Sequence, residues 1–283
     1  YTYCKGGNYR KWYGNTQNVV NWENNGEELR NYRNPDGSLK SRPQNIAFYF
    51  KQGITWSTIT SSRTSFRIME NSIFGGGGSA MFPNNKEKIE VILGFMNSKV
   101  PAFYLDLLNP TLNVLVGDML KIPFNIEIAD NIICLVRSTI KMSKFDWDAF
   151  ETSWDFKRSS LLTTNAATLQ QAYNNWSQEA SDRFNQLKSN EEELNKIFID
   201  LYGLQDELTP EEDDKEVSVR KADQVRDIKA FLSYFIGCVF GRYSLDKDGL
   251  AYAGGDWNDF NYQTFIPNQD NINLLADRQY FED

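Results

Sequence analysis

IEVILGFMNSKVPAFYLDLLNPTLNVLVGDMLKIPF, residues 89–124, is the most tightly patterned apolar block of the chain. Ile89, Ile92, Leu93, Met96 and Val100 recur at helical spacing, and Phe103, Leu105 and Leu108 form a second set across Pro101. Asn109-Pro110 breaks the run, and a short extended piece from Val114 to Val116 is expected before Ile122-Pro123. Before the block the chain is basic and aromatic; after it, acidic and helical. The block reads as the helical close of one unit, packed beneath its strands, handing the chain on to another.

Charge sharpens the division. Residues 1–70 hold ten Lys/Arg against five Asp/Glu, residues 71–124 balance, and residues 125–283 hold sixteen basic against twenty-nine acidic side chains, for a net −8 over 283 residues. A basic segment beside an acidic one points to a polyanion-facing surface in the first. The chain has no histidine, so Ser-His-Asp and Cys-His machinery and His-metal centres are excluded within it. Cys4, Cys134 and Cys238 are far apart with no CxxC spacing, which gives neither a usual zinc site nor a disulfide framework and fits a reduced, cytoplasmic setting. The apolar run Ala230 to Phe240 falls short of the roughly 20 residues a membrane span needs, so no membrane partner is expected. The start at Tyr1, without a signal peptide, fits an excised fragment.

The first 70 residues read as a strand-rich mixed unit: a short strand and turn in VVNWENNG (19–26), helical turns from Glu27 to Arg33, a turn at Asn34-Pro35-Asp36-Gly37, and strands at Ile54–Ile59 and Ser65–Met69. Arg and Lys neutralise phosphates, and Asn, Gln and Arg pair with base edges. On that chemistry the candidate DNA-binding residues are Arg10, Lys11, Arg30, Arg33, Lys40, Arg42, Gln44, Asn45, Lys51, Arg63 and Arg67. The competing reading is a solvated polar face over a core of Trp12, Trp22 and Trp56.

Several stretches imitate enzyme motifs. Phe74-Gly75-Gly76-Gly77-Gly78 fits the FxGxG form of a methyltransferase cofactor loop, yet a loop containing Pro83 precedes the next helix. Asn109-Pro110-Thr111-Leu112 begins like Asn-Pro-Pro-Tyr/Phe but lacks the aromatic residue that stacks on a flipped base. Asp155-Phe156-Lys157 and Asp213-Asp214-Lys215 each supply half of a nuclease-type pair without a partner acid. No catalytic residue, cofactor-binding residue or metal ligand is assigned within the chain.

Beyond Phe124 helices dominate. Ile128–Met142 is amphipathic, and Ala166–Tyr202 carries apolar residues at 169, 173, 176, 180, 184, 187, 194, 198 and 201, one long packed helix closed by Gly203. Thr209-Pro210-Glu211-Glu212 is expected to start a helical turn, Lys221–Phe240 to form an apolar helix, and the tail from Ser244 to be irregular. The expected class is α+β: a mixed α/β target-recognition domain (1–125) followed by a mainly α-helical domain (126–283) with an irregular acidic tail.

KGGNYRKWYGN (5–15), VVNWENNG (19–26), SRPQNIAFYFKQGITWS (41–57), LGFMNSK (93–99), LNPTLNVLVGD (108–118), DWDAFETSWDF (146–156), RFNQLKSNEEELNKIFIDLYGLQDEL (183–208) and GRYSLDKDGLAYAGGDW (241–257) carry a family likeness in combination. With these segments the chain resembles the C-terminal half of the large adenine-specific DNA methyltransferases of BREX phage-defence systems, related in layout to fused restriction-methylation enzymes. The resemblance implies an N-terminal Rossmann-like domain that binds S-adenosylmethionine and methylates N6 of a flipped adenine, then a target-recognition domain and a helical region. It implies a DNA-binding fragment of a site-specific methyltransferase, with double-stranded DNA and other defence-system proteins as partners. S-adenosylmethionine would belong to the intact protein and not to this fragment. Two rivals stand beside it: a protein-interaction module that docks another defence component, and a self-sufficient methyltransferase using Phe74 to Gly78.

Overall fold

A computed structural model describes residues 1–267 apart from 60–62, 110 and 112. Five short strands and seven α-helices lie along these residues, the strands all before residue 82 and six of the helices after them. The first is β1 (Tyr3–Cys4), followed by α1 (Glu23–Asn31), β2 (Gly53–Ser57), β3 (Phe66–Met69), β4 (Ile73–Phe74) and β5 (Gly78–Met81). Helices α2 (Ile89–Asn97), α3 (Lys99–Leu108), α4 (Val116–Met119), α5 (Asp130–Asp148), α6 (Leu169–Tyr202) and α7 (Gln224–Val239) complete the chain. The α+β class with a helical C-terminal part is as expected from the sequence.

The described chain divides into two compact units: residues 1–147 with 182–220, and residues 148–181 with 221 onward. Position 125, where composition changes, lies inside the first unit. Its core is built on β2, the centre of an antiparallel sheet ordered β3-β2-β5, with Ile54 opposite Ile68 and Trp56 opposite Phe66. Every residue of β2 is buried, so its polar members must bond internally. Thr55 Oγ1 donates to the Ser79 carbonyl at 2.9 Å, and Ser57 Oγ to the Gly7 carbonyl at 3.0 Å. β1 and β4 form a separate parallel pair.

The block at 89–124 packs against this sheet. α2 buries Ile89, Val91, Leu93, Phe95 and Met96, a wider face than one stripe. The chain bends by 65° into α3 at Ser98, whose extended backbone ends one helix and starts the next. The break is at Ser98 and not at Pro101, because proline in a first helical turn forfeits no intrahelical bond. Residues 113–114 run extended beside 58–59, Val114 N–H donating to the Thr58 carbonyl at 2.9 Å. Val116, expected to end the extended piece, instead opens α4, whose N-terminus is capped by Asp118 accepting from Leu115 N–H at 3.0 Å. Pro110 and Leu112 of the Asn-Pro motif lie outside the described residues.

The long helix appears as α6, 34 residues or about 51 Å. Gly203 closes it in the left-handed conformation, with Leu204 N–H on the Ile199 carbonyl and Gly203 N–H on that of Asp200. Its residues beyond 181 line the first unit with Phe184, Leu187, Leu194 and Phe198. Thr209-Pro210 starts no helix. The chain stays irregular through 213 because Asn195 holds the Pro210 carbonyl (3.1 Å) and Glu212 turns inward.

The second unit has its own small cores. Phe156, Tyr234 and Tyr243 cluster, the two tyrosines stacked at 5.1 Å, while Leu161, Ala172, Trp176 and Ala180 form another group. Asp227 is fixed there by Trp176 Nε1 at 2.9 Å. Among the described residues no single helix is long and apolar enough to cross a membrane.

Candidate nucleic-acid interface

The structure sorts the eleven candidate residues into interior and surface groups. Arg10, Lys11 and Arg67 are 7%, 3% and 1% exposed, so they cannot meet a duplex at the surface. Each is consumed by internal bonds, and here the sequence expectation is corrected. Arg10 donates to the carbonyls of Tyr13, Ser143 and Ser218 and to Asp146 Oδ2 at 2.9 Å. Lys11 Nζ lies 2.7 Å from both Glu191 Oε2 and Glu212 Oε1. Trp12, held at a φ of 71°, donates its indole N–H to the other oxygen of Glu191 at 2.5 Å. Arg67 reaches the carbonyl of Arg10 and the hydroxyls of Ser57 and Ser65, and burial pushes its guanidinium down to about 10.

The Lys11 centre has unequal partners. Two carboxylates face one ammonium, so Lys11 is held protonated well above its ordinary range, while burial pushes Glu191 up to about 7. Tyr9 beside them is pushed up to about 12, mainly by burial. These contacts fasten residues 9–15 to α5, α6 and the 212–220 segment. KGGNYRKWYGN is an internal clasp.

The other eight candidates are exposed. Six of them, Arg30, Arg33, Lys40, Arg42, Gln44 and Asn45, lie on one continuous segment. Residues 29–50 contain four basic side chains and a single acid, Asp36. α1 supplies Arg30 in its last turn; within its span Asn24, Asn25 and Gly26 are left-handed, so regular helical geometry begins at Glu27. A small hairpin follows: Arg33 bridges Leu39, Lys40 N–H donates to the Tyr32 carbonyl at 2.8 Å, and Gly37 N–H to that of Asn34 at 2.9 Å. Ser38 caps Asp36 through its N–H and hydroxyl, which holds that carboxyl below its usual range. Lys40 Nζ sits 4.8 Å from the Tyr32 ring centre and donates to the phenol oxygen at 3.0 Å.

Beyond the hairpin, Asn45 adopts a left-handed backbone that starts a single 3-10 turn, Ile46–Phe48. The Gln44 backbone hydrogen-bonds the Tyr49 hydroxyl. Lys40, Arg42, Gln44 and Asn45 thereby border a cleft of about 800 Å³ whose far wall is the Gly75–Ala80 turn and strand. Lys51 stands apart over the Phe48 ring at 5.1 Å, and Arg63 pairs with Glu216 at 2.6 Å.

The glycine run does not fit a cofactor cradle. Phe74 to Gly78 is a tight turn joining β4 to β5, with Gly78 N–H on the Gly75 carbonyl at 2.8 Å, and no helix follows it directly. A side chain at Gly78 would strike the Cys4 carbonyl and come within 2.9 Å of the Gly6 nitrogen. Gly77 and Gly78 are there to admit the neighbouring main chain, at Lys5 and at Cys4 and Gly6. Among the described residues no group of three or more His, Cys, Asp or Glu is placed to hold a metal.

No family model matches the chain. It is 49% identical over its full length to adenine-specific methyltransferase PglX of Lacticaseibacillus casei (strain Zhang), and 32% identical over 99% of its length to adenine-specific methyltransferase BrxX of Escherichia coli O9:H4 (strain HS). In each case the aligned region is 24% of the relative, so the chain spans about a quarter of the length of the curated relatives it matches. The family expected from the sequence motifs is therefore the family found: the chain corresponds to the C-terminal part of the BREX-type adenine-specific methyltransferases.

Proposed function

We propose that the chain is the DNA target-recognition part of a site-specific, S-adenosylmethionine-dependent N6-adenine DNA methyltransferase acting in cytoplasmic phage defence. Recognition lies on residues 1–125, residues 126–283 supply helical support, and cofactor chemistry belongs to a catalytic domain of the intact protein. The observation that carries this reading is the exposed segment 29–50, where the last turn of α1 and the hairpin carry Arg30 and Arg33, and Lys40, Arg42, Gln44 and Asn45 border one cleft. Four exposed cations along one segment suit a phosphate track, and two amides beside them suit base edges.

Binding of labelled duplex DNA across a salt series tests it, in this chain and in the intact protein. Each phosphate neutralised contributes about 0.9 to the slope of log affinity against log salt, so four cations give a slope of roughly −3 to −4. Arg42→Glu is expected to lower affinity several-fold and flatten the slope while leaving the melting temperature unchanged. Salt-independent binding, or no binding by either protein, refutes the proposal.

A second reading, docking of another defence protein, is favoured by α7 and the residue that caps it, where Leu232, Phe235, Ile236 and Phe240 are each about half exposed. Arg42→Glu separates the two, since loss of DNA binding with partner binding retained supports recognition.

A further inference from the structure

The cleft beside the hairpin is larger and more aromatic than a phosphate track requires. Its floor is the edge of a ring cluster in which Tyr49 meets Trp22 at 4.9 Å and Phe74 at 5.4 Å. Its rim carries Tyr32, half exposed and oriented by Lys40, and then Arg42, Gln44 and Asn45. At the opposite wall Gly76 has nothing within 4 Å of where a side chain would begin, so the main chain there is open to close approach. A volume of about 800 Å³ lies within the usual range for small-molecule sites, roughly 300–1,000 Å³.

Three chemistries converge on this space: ring faces, two cations, and two carboxamides that donate and accept. A phosphate alone leaves the rings and amides unused, and an apolar ligand leaves the cations and amides without partners. A nucleotide uses all three, its base against the aromatic wall, its edge toward Gln44 and Asn45, and its phosphate beside Lys40 and Arg42. A paired, stacked base inside a duplex cannot place its face there. We infer that this cleft receives one unstacked nucleotide of the bound DNA, with Tyr32 as its stacking platform. The inference rests on the DNA-binding reading and specifies what the same surface takes.

The test compares the full chain's affinity for a paired duplex with its affinity for the same duplex carrying one unpaired central adenine. The bulge presents the base already unstacked, so the protein no longer has to open the helix. Stacking of one base on an aromatic ring predicts a preference of about tenfold for the bulged duplex. Tyr32→Ala should abolish the preference by lowering affinity for the bulged duplex far more than for the paired one, and Tyr32→Phe should retain it. Gln44→Ala, at an exposed side chain, should weaken it without lowering the melting temperature. Equal affinity for the two duplexes overturns the nucleotide site and leaves DNA recognition standing. A preference untouched by both Tyr32→Ala and Gln44→Ala also overturns it, because the base is then held elsewhere. Failure to bind either duplex removes the DNA reading itself, and the inference with it.

Discussion

Replacing Lys11 with Met should destabilise the first unit severely, and more at pH 8 than at pH 5. In the native protein Lys11 is the cation facing Glu191 and Glu212, whose carboxylate oxygens both lie 2.7 Å from Nζ with all three side chains 3% exposed. Methionine has nearly the same length and removes only the charge. Removing one partner of a buried ion pair costs about 3–5 kcal/mol, because the remaining charge is left without compensation. For a unit of this size each kcal/mol moves Tm by about 2–4 °C, so the loss at pH 8 should be roughly 6–20 °C.

The pH dependence has a definite sign. Burial pushes Glu191 up to about 7 from its ordinary 4.5, so between those values the folded protein holds a proton that the unfolded chain releases. Stability contributed by this group therefore falls as pH rises from 4.5 to 7, by at most about 3 kcal/mol. In Lys11→Met the carboxylate loses its cation and moves further upward. The deficit of the variant should thus shrink toward pH 5, where Glu191 is neutral in the folded state. Thermal unfolding followed by tryptophan fluorescence reads this directly, since the indole of Trp12 bonds Glu191. A Tm loss under 2 °C at pH 8, or an equal loss at both pH values, refutes the clasp.

The remaining predictions concern backbone, charge and cofactor. Gly78→Ala drives a methyl group into the Cys4 carbonyl and should cost about 1–3 kcal/mol, seen in denaturant unfolding, since rigid main chain cannot yield. Gly203→Ala meets no atom within 4 Å but must hold a φ of 65°, so it should cost only about 1–2 kcal/mol, from strain. Arg10→Glu should fail in thermal stability before DNA binding is ever measured, in contrast to Arg42→Glu, because its guanidinium sits on Asp146. Saturating S-adenosylmethionine should leave the Tm of this chain unmoved, as the glycine run is a packed turn; a rise of several degrees would restore a cofactor site to it.

The strands at 53–57 and 66–69, the turn at 34–37 and the long helix were legible because each rests on local pattern: alternation, turn chemistry, or apolar residues every three or four positions. The fates of Arg10, Lys11 and Arg67 were not, because their partners lie far along the chain. Lys11 meets carboxylates 180 and 201 positions away, and no window of sequence joins them. One signal was available. The apolar stripe of α6 runs through 184 and 187 and resumes at 194, and the position it skips is occupied by Glu191, as buried as its neighbours. A charged residue inside a buried stripe requires a partner of opposite sign, and residues 1–70 held the surplus of cations.

That pairing also alters what the charge asymmetry means. The basic excess of residues 1–70 and the acidic excess after 125 partly neutralise each other inside one folded unit, so the contrast in composition is in part a record of internal pairing. With Arg10, Lys11 and Arg67 placed inside, seven basic and five acidic side chains remain exposed in residues 1–70. Net charge alone then no longer argues for a polyanion. Position does: four of those seven cations stand within residues 29–50 beside a single acid, and two of them, Lys40 and Arg42, border an aromatic cleft. Substituting that segment should therefore change DNA affinity out of proportion to the charge removed. Lys5, Lys51 and Arg63, equal to them in charge, should count for much less.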